Sequence, residues 1–487
     1  MFLGIDIGTS SVKAVLINES AAISGTSSAE LNISRPKPLW SEQDPLDWWQ
    51  ATNKAVSGLD PVLRRRVKGI GLSGQMHGAT LLDDRHKPLR PAILWNDGRS
   101  FAEAARLQND EPSFFSATGN LVMPGFTAPK VAWIREHEPE VFSQINSVLL
   151  PKDYIRLWMT GELASDMSDS AGTLWMDIAR RSWDTNLLES CGLKKDQMPQ
   201  LFEGPEETGC LRLETAEAWG MASVPVVAGG GDNAAGAIGA GVVNDGDALM
   251  SLGTSGVIFV AGQTFRANPS SAAHAFCHAI PERWHLMSVM LSAASCVDWA
   301  CQLLGLPSAE ALVDTARVNS ECSSSVLFLP YLSGERTPHN DPHASGVLFG
   351  LHHDTGKAEV AQAVLEGVAF GMGEGLQSLT NTGVDVHALS VIGGGAQSDY
   401  WGRILAAVLE RPLIYMDGAA AGPALGAARL ARYASLKGTL DEAFEAPAIT
   451  NVIEPHDDDV DCLAPKKEKF SRLYQALQHE FENSYHA

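Results

Sequence analysis

No uncharged apolar run in this 487-residue chain reaches the ~18 residues that a membrane span requires. The first residues, Met1 to Asp6, enter a strand pattern directly, with no basic region or cleavage site ahead of it. A soluble, cytoplasmic protein is therefore expected. Positive charge is in short supply, with 36 Lys and Arg against 58 Asp and Glu and a formal net charge of -22. That balance excludes nucleic acid or an anionic membrane as the main partner, and solubility is enough to account for it. An anionic ligand would need local help from glycine amides, a helix N-terminus or a cation. The seven cysteines contain no Cys-x-x-Cys pair. Their odd number and scatter point to reduced, mostly buried thiols. No G-x-x-x-x-G-K-[ST] occurs, and the late glycine cluster at 393–395 is not G-x-G-x-x-G, so neither a P-loop nor a dinucleotide fold is supported.

What is present is glycine, placed at the ends of apolar runs. The length exceeds what one core usually reaches, and two domains of roughly 200 or more residues each are expected. The boundary is placed near 240, giving segments 1–240 and 241–487. At the centre lies Ala228-Gly229-Gly230-Gly231-Asp232-Asn233-Ala234-Ala235-Gly236. An apolar run from Val224 delivers three glycines, then an Asp-Asn pair, then a small-residue helix over 234–243. The glycines allow close backbone approach. Asp232 has two readings: a general base for a hydroxyl at a strand-to-helix junction, or a cap for the next helix.

Leu3, Ile5 and Ile7 alternate with Gly4 and Asp6, Gly8-Thr9-Ser10-Ser11 turns, and an apolar strand resumes over 12–17. A hairpin tip of this kind can hold phosphate oxygens on its amides and hydroxyls, and Asp6 can hold a hydrated Mg²⁺. An ordinary hairpin is the plainer alternative. The device recurs where 248–252 lead into Gly253-Thr254-Ser255-Gly256 and a strand over 257–260. Two such units, one in each half, imply a duplicated α/β architecture around a shared cleft. Val391 and Ile392 precede Gly393-Gly394-Gly395-Ala396 and a helix over 401–409, an arrangement that seats nucleotide phosphates.

Asp44 and Pro45 read as N-cap and first residue of a helix. Residues 69–73 read as a strand opening into Gly74-Gln75-Met76-His77-Gly78, where His77 is either aimed into a pocket or a satisfied structural histidine. Trp95 to Arg99 is a turn with a structural arginine, and Asp166 to Asp169 a loop and helix cap. Gly422 to Ala427 starts a small-residue helix suited to close packing. The acidic 454–461 stretch reads as a loop, and a last helix runs from about 466 to 483, with packing on the first half left open.

Together these residues resemble the FGGY carbohydrate kinase family of the actin/hexokinase/chaperone-ATPase superfamily. The resemblance covers essentially the whole chain. Gly125 to Ile134, with Lys130 and Trp133, resembles the first family signature; Gly346 to Glu366, with Gly350, Leu351 and Ala363 to Glu366, resembles the second. Two RNase H-like domains around a central cleft are thereby implied. Ser73 to Gly78 is similar to the sugar-binding segment of members that act on D-xylulose. Glycerol-specific members carry an Asn-Gln-Arg-Glu type of run there, so Met76-His77 counts against glycerol.

The resemblance implies ATP-dependent phosphorylation of a ketose, with ATP and Mg²⁺ required and a homodimer compatible. Asp232 would be the base. Met76, His77 and Asn233 would contact the sugar with it, and Asp6 would hold Mg²⁺. Gly8, Thr9 and Ser10 would approach the transferring phosphoryl from one side, Gly253 and Thr254 from the other. Gly394, Gly395 and Ala396 would seat the α-phosphate and ribose. Lys13 stands where the glycerol branch has Arg, keeping a cation without bidentate geometry. Other readings are a family kinase for ribulose or gluconate, a superfamily ATPase without a sugar base, and a non-catalytic sugar sensor.

Overall fold

The computed structural model describes residues 1–318, 324–393, 398–417 and 422–484. Alternating burial forms the expected hairpin from β1 (Phe2–Ile7) and β2 (Ser11–Ile17), with Asp6 opposite Lys13. β3 (Ile23–Glu30) pairs with β2 on the outer side. Asp44 accepts from the Leu46 N–H and Pro45 opens α1 (Pro45–Ser57), as the capping pattern requires. β4 (Ile70–Gly74) runs parallel to β1, setting Ser73 beside Asp6. Three helices follow that matter for the site: α2 (Thr127–His137), α3 (Pro151–Thr160) and α4 (Met167–Ala171). β5 (Glu207–Cys210), β6 (Pro225–Val227) and the short β7 (Gly230–Gly231) complete the first sheet, and α5 (Asp232–Gly239) leaves it.

The second half uses β8 (Ala248–Leu252), β9 (Gly256–Gly262), β10 (His274–Cys277), β11 (Trp284–Met290), β12 (Leu389–Ile392), β13 (Leu413–Met416) and β14 (Ile449–Ile453). Its helices include α6 (Ala294–Leu304), α7 (Ala309–Arg317), α8 (Lys357–Thr380), α9 (Asp399–Leu409), α10 (Gly422–Leu436) and α11 (Asp457–Ser484). The first sheet reads β3-β2-β1-β4-β6-β5, and the second contains β11-β9-β8-β12-β13-β14. Neighbours are antiparallel, antiparallel, parallel, parallel and antiparallel in both. The duplication read from two glycine-threonine turns is thus a duplication of whole sheets.

The halves meet where α10 of the second lies on α5, β1 and β4 of the first. The contact is between backbones: a β-carbon at Gly426 would overlap the Ala235 carbonyl, and one at Gly71 the Ala427 carbonyl. The small-residue run of α10 therefore serves close packing of helix on helix and sheet. Phe2, Val15, Ile238, Leu249, Phe259 and Leu425 join in one apolar cluster across this seam.

Four expectations change. The helix after the glycines begins at Asp232 and ends at Gly239, because Asp232 already has helical geometry and Gly231 is the cap. The acidic stretch does not form a loop: Asp457, Asp458 and Asp459 occupy the first turn of α11, where negative charge opposes the helix dipole favourably. α11 packs on α8 and α9, elements of the second half. Five cysteines are free thiols, four of them buried, but Cys462 is disulfide-bonded, so the thiols are not uniformly reduced. No helix among the described residues is long and apolar enough to cross a membrane.

Candidate active site

The three glycines of the central segment are squeezed against β4. Gly229 has φ 81°, and a β-carbon there would overlap the Leu72 carbonyl, so only glycine fits. Gly230 and Gly231 pair with Ser73 and Gly74, which carries the chain past Met76 and into Asp232. Asp232 is the first residue of α5, and its Oδ1 accepts from both the N–H and the side-chain amide of Asn233, at 2.7 and 2.9 Å. Burial, then the negative charge of Asp6, push its carboxyl up to about 7. A carboxylate poised there titrates where a general base is most effective.

His77 leaves the end of β4 with φ 67°, an uncommon conformation for a non-glycine residue. Its Nδ1 lies 2.7 Å from the Gly172 carbonyl, which can only accept, so Nδ1 carries the proton. Burial, then the charge of Lys130, push its pKa down to about 3. The ring is therefore neutral, with Nε2 as its acceptor. Lys130 is itself fully buried on α2 and donates to the carbonyls of His77 and Gly125, at 2.9 and 2.7 Å.

Met76, His77, Asp232 and Asn233 line one cavity of about 260 Å³, below the roughly 300–1,000 Å³ of pockets that take drug-sized ligands. Its other walls include Trp95, Met123, Gly125 and Phe126 from the first half, and Ser251, Ser255, His274 and Arg336 from the second. None of these was singled out as a ligand contact from the sequence. They lie on turns and strand ends whose convergence has no local signature.

A second cavity of about 820 Å³ is lined by Gly253 and Thr254 with Val297, Asp298, Asp314, Arg317, Ser398 and Trp401. The β8–β9 hairpin divides the two: Ser251, Ser255 and Val257 face the smaller one, Leu252, Gly253 and Thr254 the larger. Gly253 and Thr254 also give their carbonyls to the N-terminus of α6, accepting from Ala294 and Ala293 at 2.9 Å each. Gly394, Gly395 and Ala396 lie outside the described residues.

In the first hairpin Thr9 is tethered. Its hydroxyl donates to Gln75 Oε1 and accepts from Trp95 Nε1, both at 3.0 Å. Gly8 closes the turn onto the Ser11 carbonyl at 3.0 Å, and Ser10 is exposed. Neither Gly8, Thr9 nor Ser10 lines either cavity. Asp6 is buried enough for its carboxyl to be raised to about 6, by desolvation above all, and its Oδ1 has no hydrogen-bond partner. An unpartnered carboxylate oxygen whose charge is felt at a second carboxylate, Asp232, suits a hard divalent cation.

Under the glycine segment lies a charged cluster with no solvent access. Lys152 meets Asp153 at 2.6 Å, Asp166 at 2.8 Å and Asp169 at 3.2 Å. Burial opposes its charge, yet the three carboxylates together hold its pKa above the usual lysine range. Arg156 donates to the carbonyls of Val227 and Ala228. Ser168 donates to Asp166 at 2.5 Å and accepts from the Gly231 N–H at 3.0 Å. The expected cap role of Asp166 is present, accepting from the N–H groups of Ser168 and Asp169. Arg99, as expected, is structural, paired with Asp97 and Glu42.

With this geometry in view, the relatives are informative. Residues 1–239 match the N-terminal domain of the FGGY family of carbohydrate kinases, and residues 248–435 its C-terminal domain. The chain is 53% identical over 479 residues to the xylulose kinase of Escherichia coli K12, covering 98% of this chain and 99% of that one. A crystal structure of a xyloylose kinase from Brucella ovis superposes with a TM-score of 0.94 at 46% identity, over 98% and 99% of the two chains. Gluconate kinase from Lactobacillus acidophilus superposes with 0.93 at 25% identity, over 99% of each.

Proposed function

Because the chain belongs to the FGGY family of carbohydrate kinases, we propose that it transfers the γ-phosphoryl group of ATP to the O5 hydroxyl of D-xylulose. The observation that carries this reading is the single hairpin, β8–β9, shared by a small cavity lined by the half-buried carboxylate of Asp232 and a larger cavity of nucleotide size. The gluconate kinase shares the fold almost as closely, so fold does not select the sugar; the 53% identity to a xylulose kinase over nearly the full length does.

In this mechanism the ketose occupies the smaller cavity and ATP the larger one. Asp232 accepts the proton of the terminal hydroxyl as O5 attacks phosphorus in line; the O5–P bond forms, the bond to the β-phosphate oxygen breaks, and ADP leaves. His77 Nε2 accepts a hydrogen bond from a sugar hydroxyl, and Asn233 and Met76 hold the sugar chain. Gly253 and Thr254 flank the phosphates from the second half, and Gly8, Thr9 and Ser10 from the first. We assign Gly394, Gly395 and Ala396 to the α-phosphate and ribose. Mg²⁺, when bound, supplies charge neutralisation to the triphosphate, and Asp6 would hold it. Most of the catalysis is positioning and charge stabilisation, and closure of the two halves would exclude competing water.

We place the domain boundary near 240, supported by α5 ending at Gly239 and β8 starting at Ala248. A phosphoryl donor of this kind suits a cytoplasmic enzyme. The test is ADP formation with ATP and Mg²⁺ across D-xylulose, D-ribulose, L-ribulose, gluconate and glycerol. The expected result is the highest kcat/KM for D-xylulose. Higher kcat/KM for another sugar reassigns the substrate, and sugar-independent ATP turnover removes the kinase reading.

A further inference from the structure

Arg336 enters the small cavity from the second half, and its guanidinium has no ion pair among the described residues. Arg99, Arg156 and Arg181 are paired with Asp97, Asp153 and Glu203, whereas buried Arg429, which lines neither cavity, donates to the Ile238 carbonyl. Among the described residues, the one side-chain hydrogen-bond partner of Arg336 is His274 Nε2, at 3.4 Å. Its backbone is nevertheless fixed. Glu335 is 3% exposed and accepts from the N–H groups of Leu291 and Arg336, at 3.0 and 2.7 Å. Thr337 is stitched to Val289 of β11 by two hydrogen bonds of 3.1 Å. Burial opposes the charge of Arg336, and the adjacent Glu335 carboxylate supports it without an ion-pair contact; a desolvated cation so weakly matched is costly, and such groups persist where a ligand completes them.

Where the guanidinium sits limits what it can meet. Its charge registers at His77 and His274, lowering the pKa of both after burial has done so. Its Nη2 lies 3.9 Å from where a β-carbon on Gly125 would stand, so it reaches across the cleft onto the first half. It therefore belongs to the His77 side of the cavity. With O5 at Asp232, the opposite end of a five-carbon ketose carries C1 and C2. A guanidinium can only donate. The carbonyl oxygen on C2 is the one substrate oxygen that can only accept.

We propose that Arg336 is a specificity-determining residue that donates to the C2 carbonyl of the open-chain ketose, so that the second half reads the keto group while the first half activates O5. This rests on the reading of the cavity as a ketose site. Arg336 lines the small cavity beside His77 and Gly125 and does not line the larger one with Gly253 and Thr254, which makes the keto end, not the phosphate, the acceptor it meets.

The test compares KM for D-xylulose with the inhibition constant of D-arabinitol, which is D-xylulose reduced at C2, in wild type, Arg336→Met and Arg336→Lys. In Arg336→Met the KM for D-xylulose should rise about 10- to 100-fold, the range for loss of one hydrogen bond to a charged group. The D-arabinitol constant should change less than about 3-fold, since a hydroxyl can turn to other partners. Arg336→Lys should fall between. Equal changes for ketose and polyol, or an unchanged KM, overturn the proposal. Should Arg336→Met fail to fold, an unchanged ketose-to-polyol ratio in Arg336→Lys overturns it equally. Absence of D-xylulose-dependent ADP in the wild type would instead overturn the activity, and this inference with it.

Discussion

The backbone N–H of Gly231 donates to Ser168 Oγ at 3.0 Å, one residue before Asp232. Ser168 stands in the first turn of α4, and Gly172, just after the end of the same helix, holds His77 Nδ1 at 2.7 Å. One short helix thus grips both the strand that delivers Asp232 and the His77 that lines the same cavity. Beneath it, Lys152, Asp153, Asp166 and Asp169 form a buried ionic platform. Such a platform is costly to desolvate and strongly destabilised by loss of one partner, which makes it rigid.

Ser168→Ala leaves a buried N–H without its acceptor, a cost of about 1–3 kcal/mol. Because the unsatisfied group adjoins Asp232, kcat is expected to fall about 10-fold, while KM for ATP stays within about 2-fold. Steady-state kinetics with both substrates varied checks this; Ser168→Thr, which keeps the oxygen, should recover most of kcat. A change confined to the thermal midpoint would reduce Ser168 to a stability role.

The pH profile should follow Asp232. Its carboxyl is raised to about 7, so kcat/KM should fall as pH drops below about 7 and the base becomes protonated. Asp6→Asn removes the neighbouring negative charge and should shift the acid limb to lower pH. Stability runs the opposite way. Between the ordinary carboxylate range and pH 7 the folded state binds the extra proton, so this site loses stability as pH rises through that window. Asp232→Asn should therefore abolish most of kcat yet raise the thermal midpoint of the unliganded protein at pH 8. A lower midpoint at pH 8 would contradict the burial argument.

His77 is held in a left-handed backbone conformation, which asparagine also tolerates. His77→Asn should preserve the fold and raise KM for the ketose about 10- to 100-fold, with KM for ATP nearly unchanged, by loss of the imidazole acceptor. Equal effects on both substrates would identify a folding role instead.

Gly426→Ala drives a methyl group into the Ala235 carbonyl at the α5–α10 seam. Overpacking of this kind costs roughly 1–3 kcal/mol. A lowered thermal midpoint is expected, together with reduced kcat, because the seam holds together the two halves that line the small cavity. Differential scanning calorimetry alongside turnover measurements separates the two; a variant unchanged in both would mean that the helices part freely.

Much of the architecture was legible because it is local. The hairpins at Gly8-Thr9 and Gly253-Thr254, the Asp44 cap and the strand ending in three glycines each depend on residues a few positions apart. Propensity and hydrogen-bonding needs act over that range. The start of α5 and of α11 was misplaced because small or acidic residues at a helix N-terminus look like turn residues in a linear reading. Their side chains complement the helix dipole only once the helix exists.

By itself, the order of residues determined that the chain folds into two related α/β halves with glycine-lined tips, and that Asp232 stands at a strand-to-helix junction. Tertiary structure alone decided that Ser168 and Gly172 hold Gly231, next to Asp232, and His77 of the small cavity, that α10 of the second half presses on β1 of the first, and that Arg336 reaches across onto Gly125. Those contacts join residues separated by tens to hundreds of positions. Their partners are chosen by which backbones can approach closely and which buried charges must be matched, and no local pattern encodes either condition.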